Sequence, residues 1–328
     1  MDIIISNKSA LEYWRTHANV EIDAAARVRR KRQPASLPKT FEIHDKVPTG
    51  LSNPINIMVG SKTIRRKSTI YRPCVYTGPT PDWSFVSVGN GMAVSAPPFC
   101  FFQMAGVLPL VKLIQLGFEL CGSYSLPIED DYRPWAEDEE TAEKPAEKTI
   151  YDHPRLTDTK ALKAFVSRME GVSGQKKASR ALRYIADGSA SPMETVLAML
   201  LTLPYKLGGY GLPMPELNKR VENKKPVMRR RDKKYYVCDL LWPKENIAIE
   251  YDSESFHANF ESMKADSDRR LDLVALGINP LNVTSRLVKD IVAFDYFAKT
   301  LARELGKRLR YKEPEFLKAR RELRKILF

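Results

Sequence analysis

Cysteine is scarce. The 328-residue chain has four, Cys74, Cys100, Cys121 and Cys238, and no two stand in a Cys-x-x-Cys spacing. Neither a zinc site nor a disulfide framework is therefore expected, and each thiol reads as a small buried hydrophobe. Long apolar runs are missing too. The longest, Pro97 to Cys121, is interrupted by Gln103, Pro109, Lys112, Gln115 and Glu119, which predicts a buried helix pair rather than a membrane span. The opening Met-Asp-Ile-Ile-Ile-Ser lacks the basic region and long apolar core of a signal peptide, so a cytoplasmic protein is expected. His17 and His44 stand alone and read as surface or core residues.

What is abundant is positive charge. Lysine and arginine number 53 against 40 acidic residues, giving a net charge of +13. That balance favours polyanions, of which nucleic acid is the commonest inside a cell; ribosomal or acidic-membrane association would give a similar number. The length suffices for two domains with proper cores.

Ser6 and Ser9 are candidate caps for a first helix, Ala10 to His17. The basic cluster Arg27 to Arg32 has fair helix propensity, ended by Pro34 and Pro38; it suits phosphate binding or a solvated helix face. Short strands follow at Ile55–Val59, Arg72–Tyr76 and Phe85–Val88, with Gly89-Asn90-Gly91 turning into Met92–Ser95. Helical periodicity returns from Phe99 to Leu120. Pro127 to Lys148 is acidic and Pro-containing, which reads as a solvated linker or a mimic of nucleic-acid charge. Helices are predicted at Asp158–Glu170 and Gln175–Ala186. A third opens at Ser191-Pro192-Met193-Glu194, where Ser191 is an N-cap, Pro192 the first helical residue and Glu194 the capping-box acid. Glu194 thus has a structural explanation beside any functional one.

The most informative stretch is Cys238 to Asp252. Tyr235–Trp242 and Ile247–Asp252 read as strands, with turn chemistry at Pro243 to Asn246. A turn centred between Lys244 and Glu245 sets Asp239 opposite Glu250, with side-chain roots roughly 4.5–5.5 Å apart. Asp252 projects from the same face as Glu250, while Ile247, Ile249 and Tyr251 point away. Carboxylates gathered in this way repel one another unless a cation is present, and a divalent metal suits an all-oxygen site. A hairpin whose acids merely face water is the plain alternative, although Asp and Glu are poor strand residues.

Cations flank this hairpin. Lys219–Lys234 includes Lys224, Lys225, Arg229, Arg230, Arg231, Lys233 and Lys234, which suit a phosphate backbone or a solvated loop. Downstream come His257 and a helix over Asn259–Leu276, on which Leu273 and Leu276 should pack on the sheet while Arg269 and Arg270 lie near its rim. A strand over Ile278–Thr284 and basic helices over Arg286–Arg310 and Glu313–Leu327 close the chain. The helices' cationic faces read as solvated surface or as further nucleic-acid contacts.

In this order the signals resemble the restriction-endonuclease-like PD-(D/E)XK superfamily, and within it the very-short-patch-repair-like endonuclease group, over Ala190 to Leu287. The resemblance implies a mixed sheet flanked by helices. It implies that Asp239 and Glu250 bind Mg²⁺ or Mn²⁺, that Glu194 or Asp252 completes the shell, and that His257 and Arg269 stand near the site. Asp252 occupies the place of the general motif's Lys, as is common in this group; His257, Arg269 or a second metal on Asp252 are candidates for that lysine's work. More weakly, Ser9-Ala-Leu-Glu-Tyr-Trp-Arg15 and Phe85 to Gly122 resemble abortive-infection type IV antitoxin-like proteins. The expected fold is an N-terminal α+β module followed by that mixed-sheet domain. The divisions expected are 1–125, an acidic linker 126–150, connecting helices 151–189, a nuclease domain 190–312 and a basic C-terminal helix 313–328. The expected activity is metal-dependent hydrolysis of DNA phosphodiester bonds in bacterial defence or repair. A catalytically inactive nucleic-acid-binding regulator is the alternative. A homodimer is expected if both strands are cut, and the N-terminal module leaves room for a protein partner.

Overall fold

A computed structural model describes residues 3–19, 27–28, 47–61, 68–128, 148–223, 234–252 and 260–328. The chain divides into two units, Met1–Ile185 and Ala186–Phe328. Both mix helix and strand, with ten α-helices among the described residues.

The first unit runs β1 (Ile3–Ile5), α1 (Asn7–Thr16), β2 (Arg27–Val28), β3 (Ile55–Val59), β4 (Tyr71–Val75), β5 (Phe85–Gly89), β6 (Met92–Ser95), α2 (Pro97–Met104) and α3 (Leu110–Leu120). A two-stranded pair, β7 (Tyr124–Ser125) and β8 (Ile150–Tyr151), and the helices α4 (Thr159–Ser167) and α5 (Gln175–Ala181) complete it. Its six-stranded sheet has the order β2-β5-β6-β1-β3-β4. The Ile3-Ile4-Ile5 run takes a central place, parallel to β6 and antiparallel to β3, because only a strand buried on both faces suits three consecutive isoleucines. Asn90 and Gly91 both adopt positive φ, 48° and 75°, in the turn between β5 and β6, as a two-residue hairpin requires. Trp14 is buried and donates to the Ser95 carbonyl at 2.8 Å, while Arg15 donates to both Glu119 oxygens at 2.7 and 2.9 Å. The stretch Ser9 to Arg15 is thus used to tie α1 to β6 and α3.

Four expectations are corrected here. Arg27 and Val28 belong to a strand paired with Val86 and Phe85, not to a helix. Cys74 is half-buried rather than buried, and its Sγ accepts from Asn56 Nδ2 at 3.2 Å. Ser125 pairs with Ile150, and α4 and α5 pack on α2 and α3. Ser125 and Ile150, on either side of the acidic segment, therefore both belong to the first unit, so that segment does not stand at the boundary between the two units. The helices that follow it are part of the first unit's core rather than connectors.

The second unit comprises α6 (Pro192–Thr202), β9 (Glu216–Glu222), β10 (Tyr235–Trp242), β11 (Ile247–Asp252), α7 (Phe260–Ala275), β12 (Asn279–Thr284), α8 (Ser285–Lys289), α9 (Ile291–Glu304) and α10 (Glu313–Leu327). The sheet order is β12-β11-β10-β9, with β10 antiparallel to both neighbours and β11 parallel to β12. A parallel pair needs a crossover, and α7 supplies it. Leu273 of α7 packs into a core of Tyr236, Cys238, Leu241, Ala248 and Ile278. The helix expected over Arg286–Arg310 is two. Asp290 interrupts it in an extended conformation and caps α9, accepting from the Val292 and Ala293 N–H groups at 2.8 and 3.0 Å.

Candidate functional site

The site forms where β10 and β11 part. Their register, Trp242↔Ile247, Leu241↔Ala248 and Leu240↔Ile249, is the one that sets Asp239 against Glu250. Beyond Leu240 side chains take over from the ladder. Tyr251 N–H donates to Asp239 Oδ2 at 2.7 Å, and Arg269 Nη2 donates to the Val237 carbonyl at 2.6 Å. The same Nη2 bonds Glu250 Oε2, so one guanidinium bridges both strands. Arg269 reaches this point because it lies one helical turn before Leu273, which is anchored in the core.

On the other side of β10, the pairing with β9 skips Asp239 and Asn218. Asn218 has φ 46°, a left-handed conformation that Asn tolerates better than most residues. Its Nδ2 donates to the Gly188 carbonyl at 2.9 Å and also to Glu194 Oε2. Glu194 is buried at the start of α6, where its own N–H donates to Ser191 Oγ at 3.1 Å. The reciprocal bond differs from the capping box expected: Glu194 Oε2 accepts from the Ala190 N–H, at 2.8 Å, not from Ser191.

All three acids hold their protons more tightly than usual. Burial raises Glu194, and the Asp239 charge adds to it against the pull of the Ala190 N–H. Burial raises Asp239, opposed by the Tyr251 N–H and by Arg269. Glu250 rises to about 7 through burial and the Asp239 charge, with Arg269 pulling the other way. The Cys238 thiol beside it is pushed up to about 12 by burial and by the Glu250 charge. Glu194 and Glu250 thus each feel the Asp239 charge in a poorly solvated place, a repulsion that a cation would relieve.

Asp239, Glu250, Asp252, Arg269 and Arg270 line one cleft of about 280 Å³, together with Asn282. Asp252 is exposed at the end of β11. Glu194 is not among the residues lining the cleft and acts behind Asp239. Tyr251, expected to point away, borders the cleft as well. Lys234 is exposed just ahead of β10. Lys224, Lys225, Arg229, Arg230, Arg231, Lys233 and His257 lie outside the described residues. The start of the basic segment is strand β9, not loop, and its cations are matched: Lys219 pairs with Glu216 at 2.6 Å, and Arg220 pairs with Glu222 at 2.9 Å while covering the Tyr235 ring. Sequence reasoning missed Asn218 and Asn282. Asn282 was within reach, since a strand over Ile278–Thr284 beside Ile247–Asp252 sets Asn282 level with Glu250.

The donor set can be tested against a divalent cation. Glu250 Oε1 is buried and has no hydrogen-bond partner among the described residues; Arg269 holds Oε2, and the weak thiol donor of Cys238 lies beside the same carboxylate. A buried acceptor left open beside Asp239 and Asp252, in an oxygen-lined cleft, fits Mg²⁺ or Mn²⁺ in donor chemistry. Among the described residues no three His, Cys, Asp or Glu side chains converge at ligand distance. Arg269 holds Glu250 in this arrangement.

Compared with known proteins, the chain matches no family model, no curated protein and no solved structure. Among the described residues no helix is long and apolar enough to cross a membrane.

Proposed function

We propose that the second unit is a metal-dependent endonuclease of restriction-endonuclease-like architecture that hydrolyses DNA phosphodiester bonds in bacterial defence or repair. The first unit, in this reading, is its recognition or regulatory module. The observation that carries the reading is the open, buried Oε1 of Glu250 in a cleft shared with Asp239 and Asp252. Asp239 and Glu250 would hold Mg²⁺ or Mn²⁺, with Asp252 at the rim. A divalent cation there supplies a bound water of lowered pKa and neutralises charge on the scissile phosphate.

The chain's own residues prepare that cleft. Tyr251 N–H fixes Asp239 through Oδ2, and Arg269 fixes Glu250 through Oε2, so each carboxylate keeps its second oxygen for another partner. Glu194, pinned by Ala190 and Asn218, sets a further negative charge behind Asp239. Arg269 and Arg270 give the cleft two guanidinium groups for phosphate oxygens. The proposal places the protein in the cytoplasm with DNA as partner, and cutting both strands calls for two copies related by symmetry.

Two observations favour a second reading, a nucleic-acid-binding regulator without catalysis. Arg269 already neutralises Glu250, and Asp252 stands where the resembled motif has lysine. Cleavage of supercoiled plasmid and of single-stranded DNA, with Mg²⁺ or Mn²⁺, separates the two. Metal-dependent nicking that is lost in Asp239→Ala supports the nuclease. Absence of cleavage with DNA binding retained supports the regulator, and equal cleavage by both proteins removes the site from the reaction.

A further inference from the structure

Away from the carboxylates, the second unit carries a groove of about 580 Å³ between α9 and the segment that follows it, bordered by Tyr296, Lys299, Arg303, Lys307, Arg308 and Tyr311. No carboxylate is among the described residues that line it. Lys299 is matched by Asp295 at 2.7 Å, but Arg303, Lys307 and Arg308 are exposed and have no carboxylate partner among the described residues. Tyr296, Lys299 and Arg303 follow at three- and four-residue spacing, so α9 presents them on one face. Tyr296 is 72% exposed, an unusual place for a large aromatic ring. Tyr311, by contrast, is fixed against Phe316 at a ring separation of 4.2 Å. Thr300 also borders the groove, and its buried Oγ1 has no hydrogen-bond partner among the described residues.

We propose that this groove binds a single-stranded nucleic-acid segment, with phosphates on Arg303, Lys307 and Arg308 and an unpaired base stacked on Tyr296. The inference rests on the reading that this unit acts on nucleic acid, and it extends that reading to the form of the substrate. Cations alone would suit any polyanion. The exposed ring selects among them, because a base has a flat face to offer only when it is unstacked from its neighbours. A duplex offers phosphates and no such face along its length, and a run of acidic residues such as polyglutamate offers carboxylates and no ring.

The test is fluorescence anisotropy of the full chain in EDTA, with a labelled oligothymidylate and a duplex of equal length. Without divalent cation the readout is independent of cleavage, so failure of the groove and failure of the nuclease reading are distinguishable. Tyr296→Ala is expected to weaken single-strand binding about tenfold and to leave duplex binding nearly unchanged. Tyr296→Phe should restore it. The double variant Arg303→Glu with Lys307→Glu should flatten the dependence of log affinity on log salt by about one to two. All substituted positions are exposed, and an unchanged thermal melt confirms folding. Three outcomes overturn the proposal: wild-type affinity in Tyr296→Ala, equal loss for single strand and duplex, or displacement of the oligonucleotide by polyglutamate as readily as by unlabelled oligothymidylate.

Discussion

Replacing Glu250 with glutamine should make the protein more stable at pH 8, although it removes half of an ion pair. Burial and Asp239 raise the folded-state pKa of Glu250 from 4.5 to about 7, and that balance already includes the pull of Arg269. Between those values the folded state binds more protons than the unfolded one, so stability falls as pH rises through the window. Once Glu250 is ionised in both states the loss amounts to about 3 kcal/mol. Glutamine has the shape of glutamate and an acceptor for Arg269 but never ionises. Glu250→Gln should therefore gain up to about 3 kcal/mol over wild type at pH 8, on the order of 10 °C in melting temperature, and match it near pH 4. Thermal melts in EDTA across that pH range read the effect directly. Saturating Mg²⁺ should close the gap by stabilising only the wild type. A glutamine variant that melts at or below wild type at pH 8 in EDTA would refute the reasoning, because the carboxylate would then be at ease where it sits.

Arg269→Ala acts in the opposite direction. It strips Glu250 and the Val237 carbonyl of their shared donor, and should cost about 2–4 kcal/mol at pH 8 in urea unfolding but less at pH 5, where Glu250 is protonated. At Asn218, alanine and glycine both lose the bonds to Gly188 and Glu194. Chemical denaturation should rank alanine lower by about 1 kcal/mol, because only glycine accepts the positive φ without strain.

Where local chemistry was strong, the sequence told the truth about the second unit. Apolar strands joined by Pro243 to Asn246 admit one hairpin register, and that register alone sets Asp239 against Glu250. Strand β9 was invisible because Leu217 and Val221 are its only apolar residues; an edge strand needs few. The continuous helix read through Asp290 failed because a capping aspartate and a solvated one look alike in sequence. The acidic segment was read as a linker between domains from composition, whereas the residues on either side of it share one unit through Ser125 meeting Ile150, a pairing that no local pattern announces. At the site, Leu273 marked which face of its helix meets the sheet and so brought Arg269 to the rim. That Arg269 would clasp Glu250 and replace a rung of the ladder depends on where the strands part, which is a property of the fold and not of the motif.

The most direct measurement is calorimetric titration of the metal-free protein with Mn²⁺ near pH 7, repeated in buffers of different ionisation enthalpy. A carboxylate site of this kind predicts binding in the micromolar to millimolar range with net proton release, since Glu250 gives up the proton that burial lets it keep. Glu250→Ala should abolish both the binding and the release. Absence of binding by the wild type, or binding that survives Glu250→Ala unchanged, would contradict a cation site between Asp239 and Glu250.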